Sequence, residues 1–437
     1  MTEPGTPTTS VEPPRILTWS LLLASTLTVM AGATISPALP AMSEHFADVG
    51  QPEVLIRLVL TATALAIAVA APFIGGLIGR IGSKRVLVWA TVLYAVAGSS
   101  GLVIDDLVVL LASRLVLGAA VSAVMVSTIT LITDWHTGTS RNKVLGVQAA
   151  FSGLGGVVFL SLGGLLAGVS WRAPFSIYLL ALPIAVLIVW YVKEPSPKKS
   201  VRDVSSARRD VRGEPPAVRD EEVRTGSRAV VISLFALAFA AQIIFYTLPT
   251  QLPFHLAAVT GSGATTAGFV LAWMVAVQSG ASLAYRFTAR LGNTTNALIS
   301  FSFMGVGLVV LAIAGSLPPV VIALSITALG TGLIMPNLNA WVAATMPGEG
   351  KARAFGGLTS AMFAGQFVSP LLAQPLISND NIAPAYLGAA GLAALVALIL
   401  LLQSVAHRRT HRPSAETRTN DQTTNHSTDH QTTGSPS

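Results

Sequence analysis

The chain has 437 residues, of which 52% are hydrophobic and 11% are charged, and its mean hydropathy is +0.66. Soluble domains carry about 25% charged residues, so the composition excludes an ordinary soluble enzyme. The 27 Lys and Arg against 20 Asp and Glu give a net charge of +7, which basic membrane loops explain better than nucleic-acid binding. Because the chain has no cysteine, disulfides, thiol chemistry and cysteine metal sites are excluded.

Apolar segments recur along the chain, and each is long enough to cross a hydrocarbon core about 30 Å thick as a helix. The polar segment 1–15 has no basic signal-peptide region, so the first apolar segment is predicted to be retained. The sequence predicts an all-α integral membrane protein with twelve transmembrane helices, spans 1 to 12: 16–39, 54–78, 84–103, 107–133, 144–168, 173–192, 229–251, 264–286, 295–315, 318–345, 353–377 and 382–405.

Two polar segments interrupt and end the apolar pattern. Residues 193–228 are rich in Pro, Arg and Glu, and residues 407–437 are similarly polar. Such segments bury too little apolar surface to fold alone, so a solvated linker and a disordered tail are predicted. The remaining chain divides into an N-terminal six-helix bundle at 16–192 and a C-terminal six-helix bundle at 229–406.

Basic residues predict how the spans are oriented. All but three of the 27 Lys and Arg fall in loops and ends on one side of the predicted bundle, the exceptions being Arg57, Arg114 and Arg172. Loops rich in Lys and Arg stay in the cytoplasm. The N-terminus 1–15, the linker and the tail are therefore predicted to be cytoplasmic, in a cytoplasmic (inner) membrane.

The two halves of the chain repeat short patterns at one offset. Arg80–Gly82 follows span 2 and Arg290–Gly292 follows span 8, and the same offset relates Gly146 to Gly356. Duplicated helical units are typical of transporters whose halves rock around a central site. The sequence thus predicts two pseudo-symmetric bundles.

The loop after span 2 carries the most specific motif. Gly75–Arg85 reads GGLIGRIGSKR, and it resembles the first-loop signature of the major facilitator superfamily, G-x-L-x-D-R-x-G-R-K. The chain is most similar to the twelve-helix drug:proton antiporter branch, over 16–405. In that family the loop Asp locks one conformation through a charge contact. Here Gly79 replaces it, so the lock is weaker or rebuilt, with Asp134 as the predicted replacement, paired with Arg80 or Arg141.

Two further motifs carry the same resemblance. Arg114–Gly118 resembles the R-x-x-Q-G signature of span 4, with Leu117 in place of Gln. The glycines of span 5 resemble the glycine-rich fifth helix of exporters, with Leu160 in place of Pro, and small residues let helices approach closely in lipid. The resemblance predicts a coupling and conformational switch at Gly75, Gly79, Arg80, Gly82, Lys84, Arg85, Arg114, Asp134, Gly155, Gly156, Gly163 and Gly164.

The ionisable residues limit the chemistry of the predicted site. Charged groups among spans cost roughly 2.5–3.5 kcal/mol on insertion scales and are functional candidates, yet all 20 carboxylates fall in loops, termini or span ends. Exporters of lipophilic cations in the resembled branch generally use an embedded carboxylate, so neutral or weakly anionic substrates are expected here. Arg114 is expected to face the interior, with snorkelling to the outer surface as the alternative, and Arg57 to lie near the outer mouth.

Polar and aromatic side chains on spans 1, 4, 7, 8, 10 and 11 predict a substrate cavity, since the resembled family lines its path mainly with those helices. Gln242, Phe245 and Tyr246, for example, fall at i, i+3 and i+4 on one face of span 7. For each residue, an interhelical hydrogen bond or simple packing is the alternative. The predicted cavity residues are Thr26, Met30, Thr34, Arg114, Gln242, Phe245, Tyr246, Trp273, Gln278, Asn337, Trp341, Phe363 and Gln366.

Together these features predict a secondary active transporter and not an enzyme, with no catalytic residues, cofactor or metal. The expected activity is proton-coupled efflux of small amphipathic compounds by alternating access, with a small-molecule substrate, protons and the bilayer as partners, no nucleic acid, and a monomeric state. One alternative is a facilitator or proton symporter that imports a metabolite such as a sugar or carboxylate. Another is a transport-inactive membrane receptor or scaffold.

Overall fold

A computed structural model describes residues 14–50, 52–194, 219–346, 350–378 and 381–410. Within this part of the chain, eleven helices are long and apolar enough to cross a membrane, and the helix Gly350–Ala373 stands at the place of predicted span 11. The main helices of spans 1 to 12 are Arg15–Ala33, Pro52–Ile81, Ser83–Ser99, Leu107–Trp135, Gly138–Ala167, Ala181–Tyr191, Arg219–Thr260, Ala264–Thr288, Asn293–Ala312, Leu317–Thr345, Gly350–Ala373 and Ala383–Thr410.

Prolines explain where two spans depart from a single continuous helix. Span 1 continues beyond its main helix as the 3₁₀ turn Ser36–Ala38 and the short helix Leu39–His45. Span 6 begins as the 3₁₀ segment Ala173–Leu180 before its α-helix. Proline has no N–H to donate and is tolerated in the first turn of a helix, and each of these short elements has proline in that position.

Two helices extend into the predicted linker and tail. The helix of span 7 already begins at Arg219, so residues 219–228 are helical and not part of a polar coil. The last helix likewise runs to Thr410, beyond the predicted start of the tail at 407. The rest of the predicted linker, 195–218, most of the predicted N-terminal segment, 1–13, and the tail from 411 lie outside the described residues.

Spans 1 to 6 pack mainly on one another, as do spans 7 to 12. The first group surrounds two clusters of buried apolar side chains, and the second surrounds one larger cluster. The two bundles meet where span 5 runs along span 8 and span 2 runs along span 11. These four spans therefore form most of the interface between the two bundles.

A cleft separates the bundles at one end of this interface. The buried residues of span 2 all fall between Ile56 and Ile67, and those of span 5 fall between Gly155 and Ala167. The opposite halves of both spans are exposed or half-buried. The cleft thus opens at the end that carries residues 14, 194 and 410, here called the open end, and the opposite end is the closed end.

Candidate functional site

Glycines bring the two bundles into contact at the closed end. A Cβ atom added to Gly268 of span 8 would lie 2.5 Å from the Cα of Gly164 in span 5, and one added to Gly164 would lie 2.7 Å from the Cα of Gly268. Ordinary carbon contacts are about 3.5–4.0 Å, so only glycine permits this crossing. Gly163, beside it, leaves room for the backbone carbonyl of Thr34 within the N-terminal bundle.

Five of the predicted cavity residues lie on spans 7 and 11, which pack against each other. Gln366 Nε2 lies 3.4 Å from Gln242 Oε1, and the rings of Phe245 and Tyr246 are 5.6 Å apart. Phe363 lies one turn before Gln366 and packs against the apolar core of the opposite bundle. We call these residues the amide–aromatic cluster: Gln242, Phe245, Tyr246, Phe363 and Gln366.

Gly32 of span 1 faces the cluster from the N-terminal bundle. A Cβ atom added there would lie 3.0 Å from the Tyr246 hydroxyl oxygen. The contact between spans 7 and 11 is polar elsewhere as well, since Ser369 donates a hydrogen bond to the backbone carbonyl of Ile243 at 2.8 Å. The region where spans 7 and 11 meet span 1 therefore places amide and hydroxyl groups beside aromatic rings, an arrangement suited to an amphipathic molecule.

Three predicted cavity residues of span 1 pack inside the N-terminal bundle and do not face the cleft. Thr26 lies against Gly155 of span 5 and the backbone of Thr34 lies against Gly163, while Met30 is fully buried in the apolar core of that bundle. Thr26 and Thr34 therefore belong to the contact between spans 1 and 5.

Trp273 and Asn337, two of the predicted cavity residues of spans 8 and 10, also make contacts elsewhere. Trp273 is 52% exposed on the outer face of span 8, where its indole N–H donates to Ser325 Oγ at 2.9 Å. Asn337 is fully buried and donates to the Asn293 carbonyl at 2.9 Å, so it joins spans 9 and 10. Trp341 packs against the core of its own bundle, and Gln278 is half-buried.

Arg114 lies within the N-terminal bundle and neither faces the cleft nor reaches the outer surface. Its side chain is fully buried, and Nη2 donates to the backbone carbonyls of Ala97 and Gly98 at 2.8 and 2.9 Å. The guanidinium also lies over the rings of Phe175 and Tyr178. The carbonyls of the last helical turn have no partner within the helix, so Arg114 caps the end of span 3.

Glu194 provides an acidic contact at the loop after span 2. Its Oε2 accepts a hydrogen bond from the backbone N–H of Lys84 at 3.1 Å, where a carboxylate stabilises the N-terminus of span 3. Gly82 has φ +93°, and a Cβ atom there would lie 2.6 Å from Glu194 Oε1. Asp134 is half-buried at the end of span 4, and its pairing with Arg80 or Arg141 stays a prediction.

The remaining predicted switch residues lie mostly in open space or at the span 5 interface. A Cβ atom at Gly75 or Gly79 would meet nothing within 4 Å, whereas one at Gly156 would meet Val275 of span 8 at 3.0 Å. Arg85 lines a shallow surface cavity of about 440 Å³ with Ile81, Lys84 and Glu194. Among the predicted switch residues, Gly156 and Gly164 of span 5 therefore contact the C-terminal bundle.

A cluster of charged side chains ties three segments of the N-terminal bundle together at the closed end. Asp105 Oδ1 accepts hydrogen bonds from His45 Nε2 at 2.7 Å and from Arg172 Nη2 at 2.6 Å. Arg172 also donates to the carbonyls of Gly101 and Ile104. The His45 hydrogen bond and the nearby Arg172 charge lower the pKa of Asp105 below its usual value.

Sequence reasoning missed Gly268, Gly32 and Glu194. Gly268 and Gly32 are isolated glycines, without a glycine neighbour in the sequence, in apolar helices, and their importance depends on which helix each one faces. Glu194 follows span 6 at the start of the polar segment, where a carboxylate is normally solvated. The buried residues of the described part include no Asp or Glu, in agreement with the distribution of carboxylates in the sequence.

Comparisons with known proteins agree with this architecture. The family described as Major Facilitator Superfamily matches residues 21–317 and 272–430. The quinolone resistance protein NorA of Staphylococcus aureus is 25% identical over 382 residues, covering 86% of this chain and 93% of that protein.

Solved structures share the fold at lower sequence identity. The D-xylose–proton symporter has a TM-score of 0.73 and 15% identity, over 88% of this chain and 97% of that chain. The human organic anion transporter MFSD10 has a TM-score of 0.63 and 17% identity, over 89% and 100%. The family match and the two packed bundles identify the chain as a multi-pass membrane transporter, not an enzyme, that belongs to the major facilitator superfamily.

Proposed function

We propose that this chain exports small amphipathic compounds, neutral or weakly anionic, in exchange for protons. Alternating access would move the two bundles around the amide–aromatic cluster. The similarity to a quinolone resistance protein supports efflux, and the excess of Lys and Arg at the open end supports a cytoplasmic location for that end. The described state would then be inward-facing, in a cytoplasmic membrane, with both termini in the cytoplasm.

The composition of the amide–aromatic cluster carries the proposal about substrates. Gln242 and Gln366 are the polar members and are both largely buried, and the other three members are aromatic. The described residues place no carboxylate beside them. A permanent cation would leave water for a site without a counter-charge, at a large desolvation cost, whereas a neutral ring with one polar group would gain apolar contact and an amide hydrogen bond.

The test is a transport assay in liposomes that contain a pH-sensitive dye. A neutral or anionic amphiphile added outside should enter as protons leave, so the interior should become more alkaline. Gln242→Leu should reduce the initial rate by about tenfold or more, the effect of losing about 1.4 kcal/mol or more of recognition. Gln403→Leu, on an exposed face of the last helix, is the matched control and should transport normally.

Three results would contradict parts of the proposal. Preference for permanent lipophilic cations would refute the argument from the uncharged cluster. Acidification of the interior during substrate entry would indicate symport, the activity for which the D-xylose–proton symporter is named. Substrate movement without proton movement would exclude proton coupling.

A further inference from the structure

Hydrogen bonds between the two bundles lie at the closed end in the part of the chain that the structure describes. Pro253 has no N–H to give to the carbonyl of Pro249 one turn earlier, and Ser36 Oγ of the N-terminal bundle donates to that carbonyl instead. Thr265 Oγ1 of span 8 donates to the Gly164 carbonyl at 3.3 Å. The other two bonds involve a pair of charged residues on span 2.

Arg57 reaches from span 2 to span 7. Only 3% of the residue is exposed, and its Nε donates to Gln251 Oε1 at 2.9 Å. The guanidinium carbon lies 4.5 Å from the centre of the Phe254 ring, within the range of a cation–π contact. Nη1 donates to the backbone carbonyl of Glu53 at 3.0 Å, which holds the side chain towards the C-terminal bundle.

Glu53 lies one helical turn before Arg57 and contacts the C-terminal bundle itself. Its Oε2 is 3.4 Å from Arg57 Nη1 and accepts a hydrogen bond from Gln374 Nε2 at 2.7 Å. Gln374 follows span 11 and Gln251 belongs to span 7, so the pair on span 2 holds two different elements of the opposite bundle. Hydrogen bonds to ionised groups are about twice as strong as neutral ones.

We propose that Arg57, aligned by Glu53, is the positioning residue that keeps the closed end closed during transport. The latch consists of Glu53, Arg57, Gln251, Phe254 and Gln374. When the bundles separate at this end, Arg57 keeps its partner on span 2 but loses Gln251 and Phe254. Removing the guanidinium therefore destabilises the closed state selectively, because the state open at this end does not contain these contacts.

Distances between spin labels across the closed end test the latch. Ala47 and Ala258 are exposed on the two bundles near this end, and because the chain has no cysteine, Ala47→Cys with Ala258→Cys labels only these sites. In lipid nanodiscs, Arg57→Ala should raise the ratio of long to short label distances by about tenfold or more, the effect of losing one charged hydrogen bond. Gln251→Ala, which removes the partner on span 7, should shift the same ratio in the same direction.

Arg172→Ala is the matched control. Arg172 lies at the same end and bonds to Gly101, Ile104 and Asp105 within its own bundle, so its loss should leave the ratio unchanged. An unchanged ratio for both Arg57→Ala and Gln251→Ala would overturn the proposal, as would an equal shift for Arg172→Ala. The latch rests on the alternating access proposed above but not on the substrate or the coupling ion, so failure of the liposome assay with the wild type leaves this measurement interpretable.

Discussion

The glycine crossing of spans 5 and 8 gives a prediction whose size follows from the structure. In Gly268→Ala the new Cβ atom would stand 2.5 Å from the Cα of Gly164 and 2.8 Å from the carbonyl oxygen of Leu160. Both neighbours are backbone atoms, which cannot rotate away as a side chain can. The two helices must therefore separate by about 1 Å to restore an ordinary carbon contact.

Such overpacking costs about 1–3 kcal/mol. Alanine also favours helix over glycine by about 1 kcal/mol, but that gain cancels between two conformations if span 8 is helical in both. Under the alternating access proposed above, the clash is confined to the state closed at this end. Gly268→Ala should thus shift the ratio of the two states about 5- to 150-fold towards the state open at this end.

The labels at positions 47 and 258 measure this shift directly. Gly280→Ala lies on the same helix, where an added Cβ atom meets nothing within 4 Å, and should leave the label distances unchanged. Gly164→Ala approaches the crossing from the other helix and should reproduce the shift. Label distances that are the same in Gly268→Ala and in the wild type would refute the claim that this crossing controls closure.

Three further predictions concern single side chains. Arg114→Ala should destabilise the N-terminal bundle by about 3 kcal/mol, because it leaves buried carbonyl acceptors unpaired, and thermal unfolding in detergent should show a lower apparent Tm than for Arg114→Lys. Asp105→Asn should lower the apparent Tm at neutral pH, and the difference from the wild type should shrink progressively as the pH falls below about 4, because a carboxylate whose pKa is lowered by folding loses its stabilising effect only as the pH drops through that lowered pKa; an undiminished difference at about pH 2 would contradict the assignment. Gln366→Leu should reduce transport as strongly as Gln242→Leu, and the double variant should be no worse than either if the two amides bind as a unit.

The positions of the spans can be predicted from the sequence, and the faces they present cannot. Long apolar runs mark a helix in lipid whatever it packs against. Apolarity does not show which face of a span packs against protein. Lipid tails are as apolar as leucine, so the buried face and the lipid-exposed face of a span carry similar side chains. Thr26, Met30 and Thr34 illustrate the consequence, since their helical spacing indicates a single face, and that face contacts span 5 instead of the cleft.

Spans 7 and 11 are more predictable because their polar residues are few and concentrated. Gln242 and Gln366 cannot face lipid without leaving amides unpaired, so both must face protein or a cavity, and the structure places them together. Trp273 obeys no such constraint, since an indole satisfies its one N–H with Ser325 on the outer surface. A side chain with several hydrogen bonds to make thus predicts a contact with protein or with a cavity, and Asn337, buried between spans 9 and 10, is the case of contact with protein.

Arg114 matches a family motif and stabilises the fold, but its contacts give no support to a role in coupling. The residue matches a family signature, and its guanidinium fits that place because the carbonyls at the end of span 3 need donors and Phe175 and Tyr178 supply aromatic faces. These contacts stabilise one bundle and do not cross to the other. Arg57 matches no signature, yet its contacts reach the opposite bundle. Because a change of conformation depends on contacts that differ between the two states, the arginine outside the motif is the better candidate for control of transport.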